Sequence, residues 1–220
     1  MFVESLAQPE LSADDHHHLS RVRRLRDGDP ITLSDGAGWW CSARFAAAPE
    51  VVGDLVSVAK AEVLVSVGIV AVKGDRTAWA VQKLTEIGVD RILLLSSSRS
   101  VVRWTGDRGH KAHAKLTAVA RSAATQSRRV FLPIIEPPRP AVDVMAEPGV
   151  AVAQRDGRYP SLDHPTVLIG PEGGWTDDEL AAAGATVDLG VGVLRAETAA
   201  VVTGVLLTAI RADMVHRHAE

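Results

Sequence analysis

The chain has 220 residues, of which 46% are hydrophobic and 23% are charged, and its formal net charge is -3. This composition excludes a disordered or fibrous protein, suffices for one large or two small packed domains, and argues against a uniformly basic nucleic-acid-binding protein. No apolar run approaches the roughly 20 residues that a membrane-spanning helix needs. The N-terminus also lacks a basic segment followed by an apolar core, so we expect a soluble cytoplasmic protein.

The first 65 residues read as short strands separated by turns. The segment "PITLSDGAGWWCSARF" predicts a strand, an Asp-Gly-Ala-Gly turn and a second strand, and "DLVSVAKAEVLVSV" follows with partial alternation. We therefore expect a small β-barrel. Cys41, beside two tryptophans in a predicted strand, is expected to be a buried core thiol rather than a nucleophile.

From Gly68 onward, strands alternate with helices, which predicts a mainly parallel sheet covered by helices. Amphipathic patterns predict helices over residues 77–87, ended by Gly88, and over residues 107–126. A last helix, from about Glu197 to His216, is apolar almost all round, so it needs burial by the sheet and by a second subunit. The proline-rich "PIIEPPRPAVD" is expected to be a surface loop. The predicted strands are "GIVAV", "RILLL", "VFLPII", "GVAVA", "TVLIG" and "TVDLG".

Basic residues are concentrated in two stretches of this mildly acidic chain. Residues 99–129 contain eight lysines and arginines against the single acid Asp107, and "RVRRLR" at residues 21–26 adds four arginines. Each stretch alone is typical of a solvated surface. Two together indicate a focused binding site for a polyanion.

The segment "IGPEGGWTDDEL" places a glycine-rich loop between a strand and a helix. It is neither a phosphate-binding P-loop, which needs Lys-Ser/Thr after the last glycine, nor a dinucleotide-binding G-x-G-x-x-G. Thr176 and Glu179 fit a capping box that starts a helix. Asp177, Asp178 and Glu179 already occupy this helix start, and Glu172 lies in the loop itself. A phosphate ligand is therefore disfavoured, and a nucleoside with a cationic centre fits better. The alternative is a tight turn without a ligand.

A second glycine-bearing segment, "LGVGVLRAETAA", also follows a short strand and opens a helix. Arg195 and Glu197 stand two residues apart where the chain turns, which is compatible with a structural ion pair or with a functional pair. Two such loops at the carboxyl ends of strands in one α/β sheet lie where these folds bind their ligands.

Taken in order, these segments resemble the ribosomal RNA small-subunit methyltransferase E family of the SPOUT class. The resemblance extends through "KGDRTAWAVQKLTEIGVDRILLL", "SSSRSVV", "AATQSRRVFLPII" and the N-terminal "HHLSRVRRLRDGDPITLSDGAG", and so covers nearly the whole chain. It implies an α/β fold with an N-terminal PUA-like β-barrel, residues 1–68, followed by a SPOUT domain with a C-terminal trefoil knot, residues 69–220. It also implies a homodimer that uses S-adenosylmethionine to methylate the N3 of a uridine in small-subunit (16S) ribosomal RNA, either free or in the 30S subunit.

The resemblance carries over residue by residue. It places Arg195 and Glu197 in the second wall of the cofactor pocket. Because a uracil N3 needs its proton removed or its anion stabilised, we hypothesise that both are catalytic, with Arg195 stabilising charge on the uracil or orienting it and Glu197 fixing Arg195 or the cofactor. It implies a cofactor pocket made by Leu168, Ile169, Gly170, Glu172, Gly173, Gly174, Leu189, Gly190, Val193, Leu194, Thr198 and Ala199. Together with the basic stretches it implies RNA contacts from Arg21, Arg23, Arg24, Lys73, Arg76, Lys83, Arg99, Arg121 and Arg128.

Two other functions remain open at this point. Where the family usually has Gly-Pro-Arg, this chain has Gly190-Val191-Gly192, which is compatible with a weak or inactive RNA-binding or ribosome-assembly factor of the same fold. A methyltransferase that acts on another RNA nucleoside is the second alternative. The histidines at 16–18, 110 and 113 lack the cysteine or carboxylate pattern of a zinc site, so no metal is expected.

Overall fold

A computed structural model describes residues 1–190 and 192–215 of the chain. Val191, in the second glycine loop, and residues 216–220, at the predicted end of the last helix, lie outside the described residues. The chain divides into two compact units. One comprises Met1–Ala61 with Ala124–Leu132, and the other comprises Glu62–Ala123 with Pro133–Glu220.

The first unit contains a four-stranded antiparallel sheet. Its strands are β1 (Pro30–Ser34), β2 (Trp39–Arg44), β3 (Glu50–Val51) and β4 (Val56–Ser57), with β1, β3 and β4 all paired to β2. The predicted strand, turn and strand are confirmed. In the turn, the Asp35 carboxylate accepts hydrogen bonds from the main-chain N–H groups of Ala37 and Trp39, at 2.7 and 3.0 Å.

Cys41 is fully buried in this unit with Leu33 and Val3, and burial raises the pKa of its thiol. The predicted core thiol is therefore confirmed. A short helix, α1 (Ala13–His17), and a π-helical turn (His18–Val22) precede the sheet. The sequence pattern did not predict them, because neither segment shows helical apolar periodicity over more than two turns.

The second unit contains a six-stranded sheet whose neighbouring strands are all parallel, as predicted. The strand order is β10-β8-β9-β5-β6-β7. The strands are β5 (Ser66–Val70), β6 (Arg91–Ser96), β7 (Ile134–Pro140), β8 (Val150–Arg158), β9 (Thr166–Ile169) and β10 (Thr186–Val187). The helices are α2 (Arg76–Ile87), α3 (Gly106–Gln126), α4 (Ala141–Met145), α5 (Asp177–Ala182) and α6 (Ala196–Arg211).

Alternate residues of the central strands enter two hydrophobic clusters, one on each face of the sheet. The larger cluster takes Val67 and Ile69 from β5 and is completed by α2, α3 and α6. The smaller takes Val70 from β5 and is completed by α4 and Trp175. Helix α2 ends as predicted at Gly88, which has the left-handed φ of +106°.

Two predicted elements are wrong in extent. The strand expected over "VFLPII" begins only at Ile134, and the expected proline-rich loop is instead β7 followed by α4. Prolines are tolerated there because β7 lies at the edge of the sheet, where β6 is its one neighbour among the described strands. A third element, the last helix, was predicted to reach about His216 but ends at Arg211. Within the described residues, no helix has the length and apolar character that crossing a membrane requires.

Candidate functional site

Strands β10, β8 and β9 are parallel neighbours in the sheet, so the segments that follow them meet at the carboxyl ends of these strands. Between these segments lies a cleft of about 250 Å³. One wall is the loop after β9, the other is the loop after β10 with the first turn of α6, and residues 153–155 of β8 complete it. The two glycine-bearing segments therefore face one another, although they lie apart in the sequence.

Most of the predicted cofactor residues line this cleft: Ile169, Gly170, Glu172, Gly174, Leu189, Gly190, Val193, Leu194 and Ala199. Three others lie elsewhere. Leu168 is completely buried in the smaller core cluster, because its side chain points to the opposite face of β9 from Ile169. Gly173 lies against Arg99, and Thr198 is exposed on α6.

The cleft is also lined by residues that were not predicted from the sequence: Ala153, Gln154, Arg155, Pro171, Trp175, Asp188, Gly192 and Ala196. The three from β8 carry no motif, and only the strand order brings them here. Trp175 and Asp188 could have been found, because each lies within a glycine-bearing segment that had already been singled out.

Arg99, near the start of the connection between β6 and α3, holds the first glycine loop. Its guanidinium donates hydrogen bonds to the main-chain oxygens of Gly173 and Trp175, at 2.9 and 3.1 Å. Inside the loop, the Trp175 ring is buried against Gly170, where a methyl group would lie 2.9 Å from the ring. The Trp175 Nε1–H is buried and has no acceptor among the described residues. The loop is thus tightly packed but leaves one donor unused.

Glu179 fixes the helix that follows this loop, through the predicted capping box with Thr176. Its carboxylate also accepts a hydrogen bond from the main-chain N–H of Ser98, at 2.8 Å. Burial raises the pKa of Glu179, but the hydrogen bonds from Ser98 and Thr176 outweigh it, so the net pKa is lowered. A buried carboxylate therefore ties the β6–α3 connection to the start of α5.

Asp188 shapes the second glycine loop. Its carboxylate accepts main-chain hydrogen bonds from Gly190, at 2.9 Å, and from Asp156, at 3.0 Å. These two hydrogen bonds lower the pKa of Asp188. Gly190 has a φ of +120°, in the region that favours glycine, so this position of the predicted Gly190-Val191-Gly192 segment uses glycine for its backbone freedom.

A three-residue ion network lies beside the cleft. Arg76, the first residue of α2, donates to the Glu172 carboxylate at 2.7 Å and lies 3.5 Å from the Glu197 carboxylate. The hydrogen bond from Arg76 lowers the pKa of Glu172. Glu197 thus pairs with Arg76, and no ion pair joins it to Arg195 among the described residues. The exposed Arg195 is the N-cap residue of α6, and its charge acts on Glu172.

The residues predicted to contact RNA differ in their surroundings. Arg76, Arg99 and Lys83 engage acids or carbonyls of the same chain, Lys83 through Glu86 at 2.8 Å. Arg121 is half-buried and also has an interaction partner. The remaining five side chains are exposed: Arg21, Arg23, Arg24, Lys73 and Arg128. Arg128, expected on the larger domain, lies in the first compact unit.

The chain matches a family of RNA methyltransferase domains over residues 59–208, a range that includes the whole cleft. Its class is therefore that of the RNA methyltransferases. A solved ribosomal RNA small subunit methyltransferase E from Neisseria gonorrhoeae, bound to S-adenosylmethionine, is 27% identical and superposes with a TM-score of 0.78, covering 91% of this chain and 90% of that one. The chain accordingly has the SPOUT-like α/β methyltransferase fold with its parallel sheet.

Curated relatives narrow this class. The ribosomal RNA small subunit methyltransferase E of Mycobacterium bovis is 33% identical over 216 residues, which cover 87% of this chain and 82% of the relative. Its counterpart in Bacillus subtilis is 25% identical over 234 residues, covering 90% and 88% of the two chains. The chain belongs to the ribosomal RNA small subunit methyltransferase E family, and the predicted resemblance is confirmed.

Proposed function

We propose that this protein transfers a methyl group from S-adenosylmethionine to the N3 of one uridine in small-subunit (16S) ribosomal RNA. The observation that carries the proposal is the convergence of the two glycine loops, with Glu172 and Asp188, on one cleft in a chain of this family. The relative from Neisseria gonorrhoeae was solved with S-adenosylmethionine bound.

The residues around the cleft fit this cofactor. Ile169, Leu189 and Leu194 provide apolar surface for an adenine ring, while the glycine backbone admits a ligand close to its N–H and C=O groups. The carboxylates of Glu172 and Asp188 suit a ligand with cationic centres. The buried Trp175 Nε1–H needs an acceptor, which a nucleoside can supply. When bound, S-adenosylmethionine supplies an activated methyl group.

Arg195 has the position and charge for the catalytic role that we hypothesise for it. At neutral pH the uracil N3 carries a proton, and loss of that proton to a base leaves negative charge on the ring. The charge is neutralised as N3 forms its bond to the methyl carbon and the methyl–sulfur bond breaks. A guanidinium within hydrogen-bond reach of the ring stabilises this charge. Arg195 is exposed beside the cleft and makes no ion pair among the described residues, so it is available for this contact.

RNA contact is proposed for the exposed residues Arg21, Arg23, Arg24, Lys73 and Arg128. Arg21 lies in a groove of about 620 Å³ with His16 and His17. Arg24 and Arg128 have φ values of 57° and 56°. This left-handed conformation is rare outside glycine, asparagine and aspartate, and strained residues cluster at functional sites.

The finer architecture is proposed with the function. The antiparallel sheet lies within residues 1–68, to which we attribute a PUA-like barrel for RNA contact. The parallel sheet begins at Ser66 and continues through residues 69–220, to which we attribute the transfer and a trefoil knot. Exposed apolar residues on and near α6, such as Val205 and Met214, support a homodimer. A protein that acts on ribosomal RNA is expected in the cytoplasm, and we assign this protein there.

The test incubates the purified protein with radiolabelled S-adenosylmethionine and 30S subunits from a strain that lacks the homologous gene, followed by mass spectrometry of the nucleosides. We expect N3-methyluridine at a single position, and strongly reduced turnover for Arg195→Ala and Glu197→Ala. Turnover near wild type in both variants would remove them from the mechanism. Binding of the cofactor and RNA without methyl transfer would favour the ribosome-assembly factor. Methylation of a different nucleoside would favour the alternative in which the enzyme acts on another RNA nucleoside.

A further inference from the structure

Arg76 stands between acids from both walls of the cleft. Its Nη1 donates to Glu172, in the loop after β9, and lies 3.5 Å from Oε1 of Glu197, in the first turn of α6. Its Nε donates to the main-chain oxygen of Lys73 at 3.2 Å, which fixes the direction of the side chain. The Arg76 guanidinium therefore links the two walls of the cleft through its contacts with one carboxylate from each.

The two carboxylates depend on this guanidinium to different degrees. Glu197 is buried, with a side chain only 10% exposed, and its Oε2 has no hydrogen-bond partner in the described part of the chain. Glu172 is exposed and belongs to a loop. Within the described ranges, Arg76 is the one ion-pair partner of each. A buried carboxylate without a counter-charge is costly, so Arg76 compensates Glu197 while it holds Glu172 in place.

The helix that carries Arg76 is itself firmly placed. Helix α2 contacts α6 so closely that a methyl group on Gly204 would lie 2.7 Å from Leu84. Leu84 and Leu207 are both completely buried in the larger core cluster. Because α2 and α6 form one packed layer, the contact from Arg76 to Glu172 restrains the loop relative to a firmly packed support.

We propose that Arg76 is a positioning residue for the cofactor, rather than an RNA contact, and that it sets the spacing between the two walls of the cleft. This inference rests on the proposed function of the cleft. Without Arg76, the loop that carries Glu172 is no longer tied to α6, so the cleft spends less time in the conformation that binds the cofactor. The apparent affinity for S-adenosylmethionine then falls in proportion to the fraction of protein molecules that still have the binding-competent conformation.

The test measures two affinities separately in Arg76→Gln, Arg76→Lys, Glu172→Gln and the double variant Arg76→Gln/Glu172→Gln. Calorimetry with S-adenosylmethionine should show about tenfold weaker binding for Arg76→Gln, and the double variant should be no weaker than the weaker single variant, because both changes break the same link. Arg76→Lys should recover part of the loss, since an ammonium can contact one carboxylate but lacks the planar fork. Binding of small-subunit ribosomal RNA should stay within twofold of wild type.

Two controls keep the result interpretable. Arg108→Gln removes an exposed arginine from α3 and should leave the cofactor affinity unchanged. Arg76→Gln/Glu197→Gln also removes the buried charge that Arg76→Gln leaves behind. It should recover the melting temperature of wild type while the cofactor affinity stays low, which separates positioning from a purely structural role.

Wild-type cofactor affinity in a folded Arg76→Gln or Glu172→Gln variant would overturn the inference. So would a variant of Arg76 that loses RNA affinity while it keeps cofactor affinity, which would restore the RNA contact predicted from the sequence. If the wild-type protein fails to bind S-adenosylmethionine, the proposed function fails instead, and the two failures are thereby distinguished.

Discussion

The capping carboxylate of Glu179 offers a sharp test of how the first glycine loop is held. It is 2% exposed and accepts three hydrogen bonds, from the main-chain N–H groups of Ser98 and Thr176, both at 2.8 Å, and from the Thr176 hydroxyl at 3.2 Å. Glu179→Ala leaves two main-chain donors without this acceptor. Since each hydrogen bond to a charged group contributes about 1.5–3 kcal/mol, we expect the loss of two to lower the free energy of unfolding by about 3–6 kcal/mol.

The assay is urea denaturation at pH 7.5, followed by circular dichroism. Glu179→Gln keeps one carbonyl acceptor but presents an amide N–H to the other donor, so it should lose about 1.5–3 kcal/mol. Asp178→Asn is the matched control, because Asp178 is the exposed neighbour in the same helix turn, and it should change stability by less than about 1 kcal/mol. A Glu179→Ala variant as stable as this control would refute the reasoning.

The same carboxylate predicts a pH dependence with a definite sign. The pKa of Glu179 is lower in the folded protein than its ordinary value of about 4.3. A group of this kind stabilises the fold fully above its unfolded pKa, and the contribution is lost as the pH falls through the folded pKa. The stability difference between wild type and Glu179→Gln should therefore be constant from pH 7 to 5 and shrink below about pH 4.3. A difference that stays constant down to pH 3 would contradict it.

Two further substitutions test the loop from other sides. Gly170→Ala places a methyl group 2.9 Å from the buried ring of Trp175, so we expect a loss of about 1–3 kcal/mol in urea denaturation, whereas Gly184→Ala, with no atom within 4 Å, should be near neutral. Equal stabilities would refute the predicted clash. Arg99→Ala removes two hydrogen bonds from the loop carbonyls and should weaken S-adenosylmethionine binding about tenfold in calorimetry, or about 1.4 kcal/mol. Arg103→Ala, at an exposed arginine, should leave the affinity for S-adenosylmethionine unchanged. Equal losses in Arg99→Ala and Arg103→Ala would indicate a general effect of charge.

Local sequence signals predicted much of the fold correctly. The capping box at Thr176, the helix end at Gly88 and the antiparallel strands around the Asp35 turn each depend on residues within a few positions of one another. Such features are encoded in short segments, because the hydrogen bonds that form them are local. The prolines of β7 misled the prediction, since their acceptance depends on an edge position that only the sheet order reveals.

The sequence by itself determined which segments bear the site: two glycine-bearing loops, each between a strand and a helix, and the basic stretches. Only the tertiary structure decided how they are joined. Arg99 reaches Gly173 across 74 residues, and Glu179 accepts from Ser98 across 81. Arg76, which was predicted from the sequence to contact RNA, lies between Glu172 and Glu197. The physical reason is that the charge of a side chain and the backbone freedom of a glycine are properties of single residues. The partner of that charge, or the acceptor of a buried hydrogen bond, depends instead on which strands become neighbours in the sheet.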